Sequence, residues 1–197
     1  MKKIYIILNY LLQFLSCPIS AHKKFIRKEI VKEININLKK NILDFGCGHG
    51  IFSGLFKNTN INYIELDCDL NSLLFAKYIH QNNLYLCAGE LLCFKQNIFD
   101  YIILNNVLHH MDKKSIIKLF DEIIRVLKNK RKVIIIELLP FEKQRGFFLK
   151  IVTSLEKKIK KISYVSDDFL TEIAKKYFRN IKKLEVSRNF ISYILEN

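Results

Sequence analysis

The stretch Asn41-Ile42-Leu43-Asp44-Phe45-Gly46-Cys47-Gly48-His49-Gly50 decides the fold of this chain. It opens as a short apolar run of the kind that forms a buried strand, and it then places glycine at alternate positions. Glycine allows a tight turn in which main-chain N–H groups come close to a bound ligand. A strand, a glycine turn and a following helix, expected over residues about 50–58, therefore predict a cradle for a nucleotide.

Composition indicates one domain with a sizeable core, because half of the 197 residues are apolar. Lys and Arg outnumber Asp and Glu by 33 to 19, which gives a formal net charge of +14. Only 6 of those cations are Arg, and phosphate-binding surfaces favour Arg, so we interpret the charge as a lysine-rich surface rather than a nucleic-acid footprint. Five cysteines without a C-x-x-C pair predict a reducing compartment, no structural disulfide and no metal site.

Strands and helices alternate along the middle of the chain. This pattern predicts an α/β fold with a mostly parallel, Rossmann-like sheet that carries helices on both faces. Two short alternating runs near the end predict a C-terminal antiparallel hairpin, which brings the sheet to seven strands. The expected strands are 40–45, 61–66, 83–87, 99–105, 132–138, about 180–187 and about 190–196, and the main helices are about 70–82 and 112–128.

We expect a single domain, residues 1–197, with an N-terminal helical cap (1–38), a cofactor-binding core (39–139), and lid helices with the closing hairpin (140–197). The apolar residues of 1–16 share one side of a helix, so we interpret this segment as a packing helix rather than a cleaved leader. A second helix is expected over about 19–36, and residues about 144–162 predict a basic amphipathic helix. A further helix is expected to begin at Ser166 or Asp167.

An acidic residue follows the second predicted strand at an informative distance from the glycine turn. Asp67 lies 21 positions after Gly46, the spacing at which a carboxylate can accept from the two hydroxyls of a ribose. Asp69 either shares that task or caps the helix that begins near Leu70.

Together these residues resemble the class I S-adenosylmethionine-dependent methyltransferases over about 40–138, half of the chain. Leu43 to Gly50 resembles the family's glycine motif, and Asp67 resembles its acidic residue for ribose. The blocks Phe99 to His110 and Arg125 to Lys128 resemble the fourth strand with its following loop and the entry to the fifth strand.

The resemblance implies S-adenosyl-L-methionine as the cofactor and no metal. In the family an acidic residue near the adenine stands where this chain has Ala88, so we expect main-chain groups of 88–90 and apolar contacts to hold the adenine, unless Glu90 takes the role. The residues that the resemblance assigns to the cofactor site are Asp44, Gly46, Cys47, Gly48, Gly50, Asp67, Cys68, Ala88, Gly89, Glu90 and Asn105.

Methyl transfer from a sulfonium is an in-line displacement that needs alignment and, for some acceptors, a base. His109 is the candidate base at the end of the fourth strand, whereas His110 is expected to order the loop by bonding main chain. His49 could touch the cofactor carboxylate. Tyr164, in the expected lid, either contacts the acceptor or packs.

The implied activity is methylation of O, N or C in a small-molecule acceptor, a metabolite or cell-envelope precursor, in the cytoplasm. An RNA methyltransferase is the alternative that the lysine-rich 150–161 face favours. A non-catalytic partner subunit is the alternative that Ala88 favours. Contact of the basic and apolar helices with an anionic membrane surface is a further reading. The sequence does not indicate the oligomeric state.

Overall fold

The computed structural model describes residues 28, 30–80, 83–87, 91–139, 141–143, 150, 154, 163–187 and 190–197. Three α-helices lie within them, Leu70–His80 (α1), Lys113–Val126 (α2) and Asp167–Tyr177 (α3), and residues 28 and 30–33 are also helical. The described strands are β1 Lys40–Phe45, β2 Ile61–Asp67, β3 Asn83–Leu86, β4 Phe99–Asn105, β5 Leu127–Leu138, β6 Asn180–Ser187 and β7 Phe190–Glu196.

These strands form one sheet in the order β3-β2-β1-β4-β5-β7-β6. The pairs among β1 to β5 are parallel, and β7 runs antiparallel to both β5 and β6. The predicted Rossmann-like sheet with a C-terminal antiparallel hairpin is therefore confirmed. The chain moves outward from β1 to β3 and then returns to place β4 beside β1, and ligands bind at the carboxyl ends of strands where the order reverses in this way.

The central strands of the sheet are buried on both faces, which explains why they are almost continuously apolar, whereas β3 at the sheet edge is largely exposed. On one face Leu43, Ile102 and Ile135 belong to a cluster that includes the buried sides of α2 and α3. On the other face Ile42 and Ile103 pack in a second cluster, whose remaining members include Ile30, Ile34, Phe52 and Phe56. Each face thus fixes the register of the strands whose ends form the site.

The prediction of a helix over about 50–58 is wrong, because this segment folds as turns around one short 3-10 helix, Ser53–Leu55. Gly50 and Asn58 have positive φ angles of 71° and 63°, which regular helix does not permit. The seven residues between them include Gly54, and so short a segment does not sustain a stable α-helix. A second difference is that β5 begins at Leu127 rather than at residue 132.

Several predicted elements lie outside the described residues. They are the helix of residues 1–16, most of the helix of about 19–36 and most of the helix of 144–162, of which residues 150 and 154 are described and are helical. Of the described helices, none has the length and apolar character needed to cross a membrane.

Candidate active site

The glycine turn after β1 adopts the conformation that its sequence requires. Gly46, Gly48 and Gly50 all have positive φ angles, 70°, 54° and 71°, a region that disfavours side chains. The Gly46 N–H donates to the Leu66 carbonyl oxygen at 2.7 Å, which ties the turn to the end of β2. A methyl group added at Gly48 would meet no atom of the described residues within 4 Å, so on their side the turn leaves open space in which a ligand can approach the main chain.

Asp67 meets the glycine turn at the tip of β2. Its Oδ2 accepts from the Gly48 N–H at 2.7 Å, and its Oδ1 accepts from the Asp69 N–H at 2.8 Å. Because each carboxylate oxygen can accept more than one hydrogen bond, the side chain retains capacity for two hydroxyl donors. The structure therefore brings the glycine turn and the Asp67 carboxylate together, as the 21-residue spacing between Gly46 and Asp67 predicted.

Two asparagines lie beside the same crevice, Asn105 as the last residue of β4 and Asn106 directly after it. Within the part of the chain that the structure describes, the buried side-chain oxygens of Asn105 and Asn106 meet no hydrogen-bond partner, although buried polar groups are normally paired. Asn106 has a positive φ of 57°, and its N–H donates to the Ile136 carbonyl oxygen at 2.8 Å. Unpaired acceptors at the reversal of strand order fit a ligand that carries N–H donors, such as the ammonium group of the expected cofactor.

Asp44 lies inside the sheet rather than in the open cradle. Its carboxyl is 2 % exposed, accepts from the Tyr63 hydroxyl, and faces Glu65 across the β1–β2 register. The pKa of Asp44 is raised to about 7, mainly by burial and in smaller part by the charges of Glu65 and Asp67, although the Tyr63 hydrogen bond lowers it. Burial also raises the pKa of the Cys47 thiol, which makes that thiol a packing group rather than a nucleophile.

The raised pKa of Asp44 predicts a pH-dependent stability. Between about pH 4 and pH 7 the folded protein holds a proton that the unfolded chain releases, so stability falls as pH rises through this window. We expect the unfolding free energy of the wild type, relative to Asp44→Asn, to fall by about 4 kcal/mol from pH 4 to pH 8. Urea unfolding of both proteins at the two pH values measures this, and a difference that does not change with pH would contradict it.

His109 and Glu137 form a buried pair at the carboxyl ends of β4 and β5. The His109 Nδ1 lies 2.8 Å from Glu137 Oε2, and the side chains are 7 % exposed each. Glu137 Oε1 also accepts from the N–H groups of Val107 and Leu108, at 2.9 and 2.7 Å. Because the carboxylate accepts, Nδ1 carries the ring hydrogen, and the lone pair of the neutral ring is on Nε2.

The remaining candidates fall around this pair. The ring of the exposed His110 packs at a tilt against His109, with 4.0 Å between centroids, and the His110 main-chain N–H donates to the Val107 carbonyl oxygen. The His49 ring packs edge-on against Phe75 of α1. Tyr164 is partly buried and follows Ser163, whose N–H donates to the His109 carbonyl oxygen at 2.8 Å.

The other predicted cofactor residues are Cys68, which is exposed, and Ala88, Gly89 and Glu90, which lie outside the described residues. Among the residues described, no three His, Cys, Asp or Glu side chains are grouped as they would be around a metal ion.

Sequence reasoning missed Glu137. The sequence did contain a signal for it, because Glu137 is a single acidic residue directly after the apolar run Val133 to Ile136. A carboxylate at the carboxyl end of a buried strand needs a partner in the site. Its partners lie 28 to 30 residues earlier in the chain, so only the β4–β5 register brings them together.

Comparison with known proteins agrees with this arrangement. Residues 20–181 match the profile of a family described as a methyltransferase domain. The chain is 28% identical over 170 residues to demethylmenaquinone methyltransferase of Oceanobacillus iheyensis, which covers 79% of this chain and 70% of that protein. It is 39% identical over 115 residues to an uncharacterised protein of Methanocaldococcus jannaschii, across 54% of this chain and 48% of the relative. The chain thus spans about half the length of that relative.

Solved structures show the same fold at low sequence identity. A SAM-dependent methyltransferase from Aquifex aeolicus superposes with a TM-score of 0.70 at 16% identity, over 94% of this chain and 96% of that one. Phosphoethanolamine N-methyltransferase 2 of Haemonchus contortus, in complex with S-adenosyl-L-methionine, superposes with a TM-score of 0.71 at 16% identity, over 88% of this chain and 52% of that one.

Proposed function

Because the chain belongs to the S-adenosylmethionine-dependent methyltransferase family, we propose that it methylates a small-molecule acceptor by in-line displacement. The observation that carries the cofactor half of this proposal is the meeting of the glycine turn with Asp67, beside the unpartnered oxygens of Asn105 and Asn106. The acceptor half is supported by the demethylmenaquinone and phosphoethanolamine methyltransferases among the similar proteins, whose names specify small-molecule acceptors.

Each group of the site has a role that its chemistry suits. Asp67 would accept from the ribose hydroxyls of the bound cofactor, the open main chain at Gly48 would lie close to it, and the Asn105 oxygen would accept from its ammonium group. When bound, S-adenosylmethionine supplies an electrophilic methyl group on a positively charged sulfur. Asp44, buried behind the turn, supports the turn and adds negative charge near a cationic ligand when it ionises.

His109 is the proposed base for an acceptor that must lose a proton. Glu137 holds Nδ1, and this orients the ring and places the basic lone pair on Nε2. The same carboxylate fixes the main chain of Val107 and Leu108, so it orders the loop and the base together. The link from Ser163 to the His109 carbonyl oxygen places the 163–166 segment next to the proposed acceptor side.

A transfer assay with methyl-labelled S-adenosylmethionine tests this proposal. The protein is incubated with the labelled donor and either the small-molecule fraction or the total RNA of cells, and the products are separated by size. We expect protein-dependent label in the small-molecule fraction. Label that nuclease releases from a polymer would replace this proposal with RNA methylation, and failure to bind the donor would replace it with a non-catalytic partner subunit.

A further inference from the structure

The guanidinium of Arg125, in the last turn of α2, is directed at the loop that follows β3. Its Nη1 donates to the Phe94 carbonyl oxygen at 2.7 Å, and its Nη2 donates to the Leu92 carbonyl oxygen at 2.9 Å. The carboxylate of Glu122 accepts a hydrogen bond from the Leu92 N–H at 2.9 Å. Three main-chain groups of this loop are therefore held by two side chains of one helix turn.

Arg125 and Glu122 also hold each other. The Arg125 Nε and Nη2 donate to the two oxygens of Glu122 at 2.7 and 2.6 Å, the two-pronged geometry that only a guanidinium provides. This hydrogen bonding lowers the pKa of the Glu122 carboxyl and raises the pKa of Arg125. Although the Arg125 side chain is 36 % exposed, the pair also bonds three main-chain groups of the loop, and this distinguishes it from an isolated surface ion pair. We call Glu122 and Arg125 the clamp.

The clamped loop begins beside the proposed ribose carboxylate. The Cys87 N–H donates to the Asp67 carbonyl oxygen at 3.1 Å, and the Cys87 thiol contacts the Leu91 carbonyl oxygen at 2.9 Å. Leu92 is buried, while the neighbouring Leu91 side chain is 70 % exposed. The loop therefore carries an uncovered apolar side chain next to the end of β2, and its main chain is fixed from α2.

We propose that Glu122 and Arg125 are positioning residues for adenine recognition, acting through the main chain of residues 91–94. This inference rests on the proposed function. Ala88 offers no side-chain acceptor for the adenine amino group, so we expect recognition by main-chain groups and apolar contacts, with Glu90 as the alternative acceptor. Such contacts discriminate only when the loop is held in place, and the clamp supplies that restraint from outside the site.

The test compares two ligands that differ at the adenine amino group, S-adenosylhomocysteine and S-inosylhomocysteine, in which oxygen replaces the amino group. We expect the wild type to prefer the adenosyl ligand. In Arg125→Lys, which keeps the charge and loses the two-pronged geometry, we expect adenosyl binding to weaken about tenfold and the preference to shrink towards one. The KM for the donor should rise by the same factor while kcat changes little.

Arg179→Lys is the matched control, because Arg179 is exposed and lines a groove at Lys132 and Asn180; we expect it to bind both ligands as the wild type does. If Arg125→Lys does not fold, the binding of the same two ligands is compared in Glu122→Gln, which removes the carboxylate charge. Unchanged preference in both variants, or an equal loss for both ligands, would overturn the inference while the proposed function stands. A wild type that binds neither ligand would instead overturn the proposed function.

Discussion

Replacing Asp67 with alanine is expected to weaken S-adenosylmethionine binding at least about a hundredfold, because two hydrogen bonds to a charged acceptor are lost at once. The carboxylate lies against the open side of the glycine turn and already accepts from the Gly48 N–H. Its removal therefore takes away the ribose acceptor and also releases the main chain of the turn. Both effects act on binding, and neither touches the buried core.

Calorimetric titration of the folded protein with S-adenosylmethionine measures this effect, and circular dichroism verifies the fold of each variant. Asp69→Asn is the matched control. Asp69 caps α1 by accepting from the N–H groups of Asn71 and Ser72, and asparagine caps a helix equally well, so we expect nearly unchanged affinity. If Asp67→Ala bound the cofactor as tightly as the wild type, the ribose assignment would be wrong. An equal loss in Asp69→Asn would mean that the two carboxylates share the ribose.

Replacing Glu137 with glutamine is expected to reduce kcat about a thousandfold for an acceptor that must lose a proton, with little change in cofactor affinity. The amide has the shape of the carboxylate, and its oxygen can still accept from Val107 and Leu108. Its NH₂ group, however, donates towards His109 Nδ1. The ring hydrogen then moves to Nε2, and the lone pair that acts as base is lost.

This prediction has a readout that does not require an acceptor. The ¹⁵N chemical shifts of His109 distinguish a protonated from an unprotonated ring nitrogen, so the wild type should show Nδ1–H and Glu137→Gln should show Nε2–H. Once the labelled-transfer assay has provided an acceptor, the pH profile of kcat should lose its basic limb in the variant. His109→Gln should be as slow as Glu137→Gln, and the double variant no slower. A Glu137→Gln enzyme with wild-type kcat would remove His109 from the role of base.

The sequence predicted the parts of the fold that depend on local pattern. The run ending at Phe45, the glycines that follow and the distance to Asp67 are properties of short segments, and a parallel sheet turns such spacings into proximity at its carboxyl edge. Helix α3 begins at Asp167, one of the two expected positions, and Ser166 caps it, because its side chain accepts from the Phe169 N–H. Capping of this kind is decided by residues three positions apart.

The sequence could not supply what depends on pairing between distant strands or on competing turns. Glu137 meets His109 only through the register of β4 and β5. The burial of Asp44 against Tyr63 and Glu65 likewise follows from the β1–β2 pairing. The segment after Gly50 was predicted as helix because a helix commonly follows a strand and a glycine turn. The positive φ of Asn58 ends any helix there, and that preference is visible only in the folded chain.

The most direct test of the central claim, that the carboxyl ends of β1, β2 and β4 bind S-adenosylmethionine, is a titration followed by ¹⁵N–¹H correlation spectra. We expect the amide signals of Gly46, Gly48, Asp67 and Asn105 to shift together with a single dissociation constant. Signals of the groove lined by Glu33, Lys132 and Arg179 should remain in place. Shifts confined to that groove, with the glycine turn unchanged, would contradict the claim.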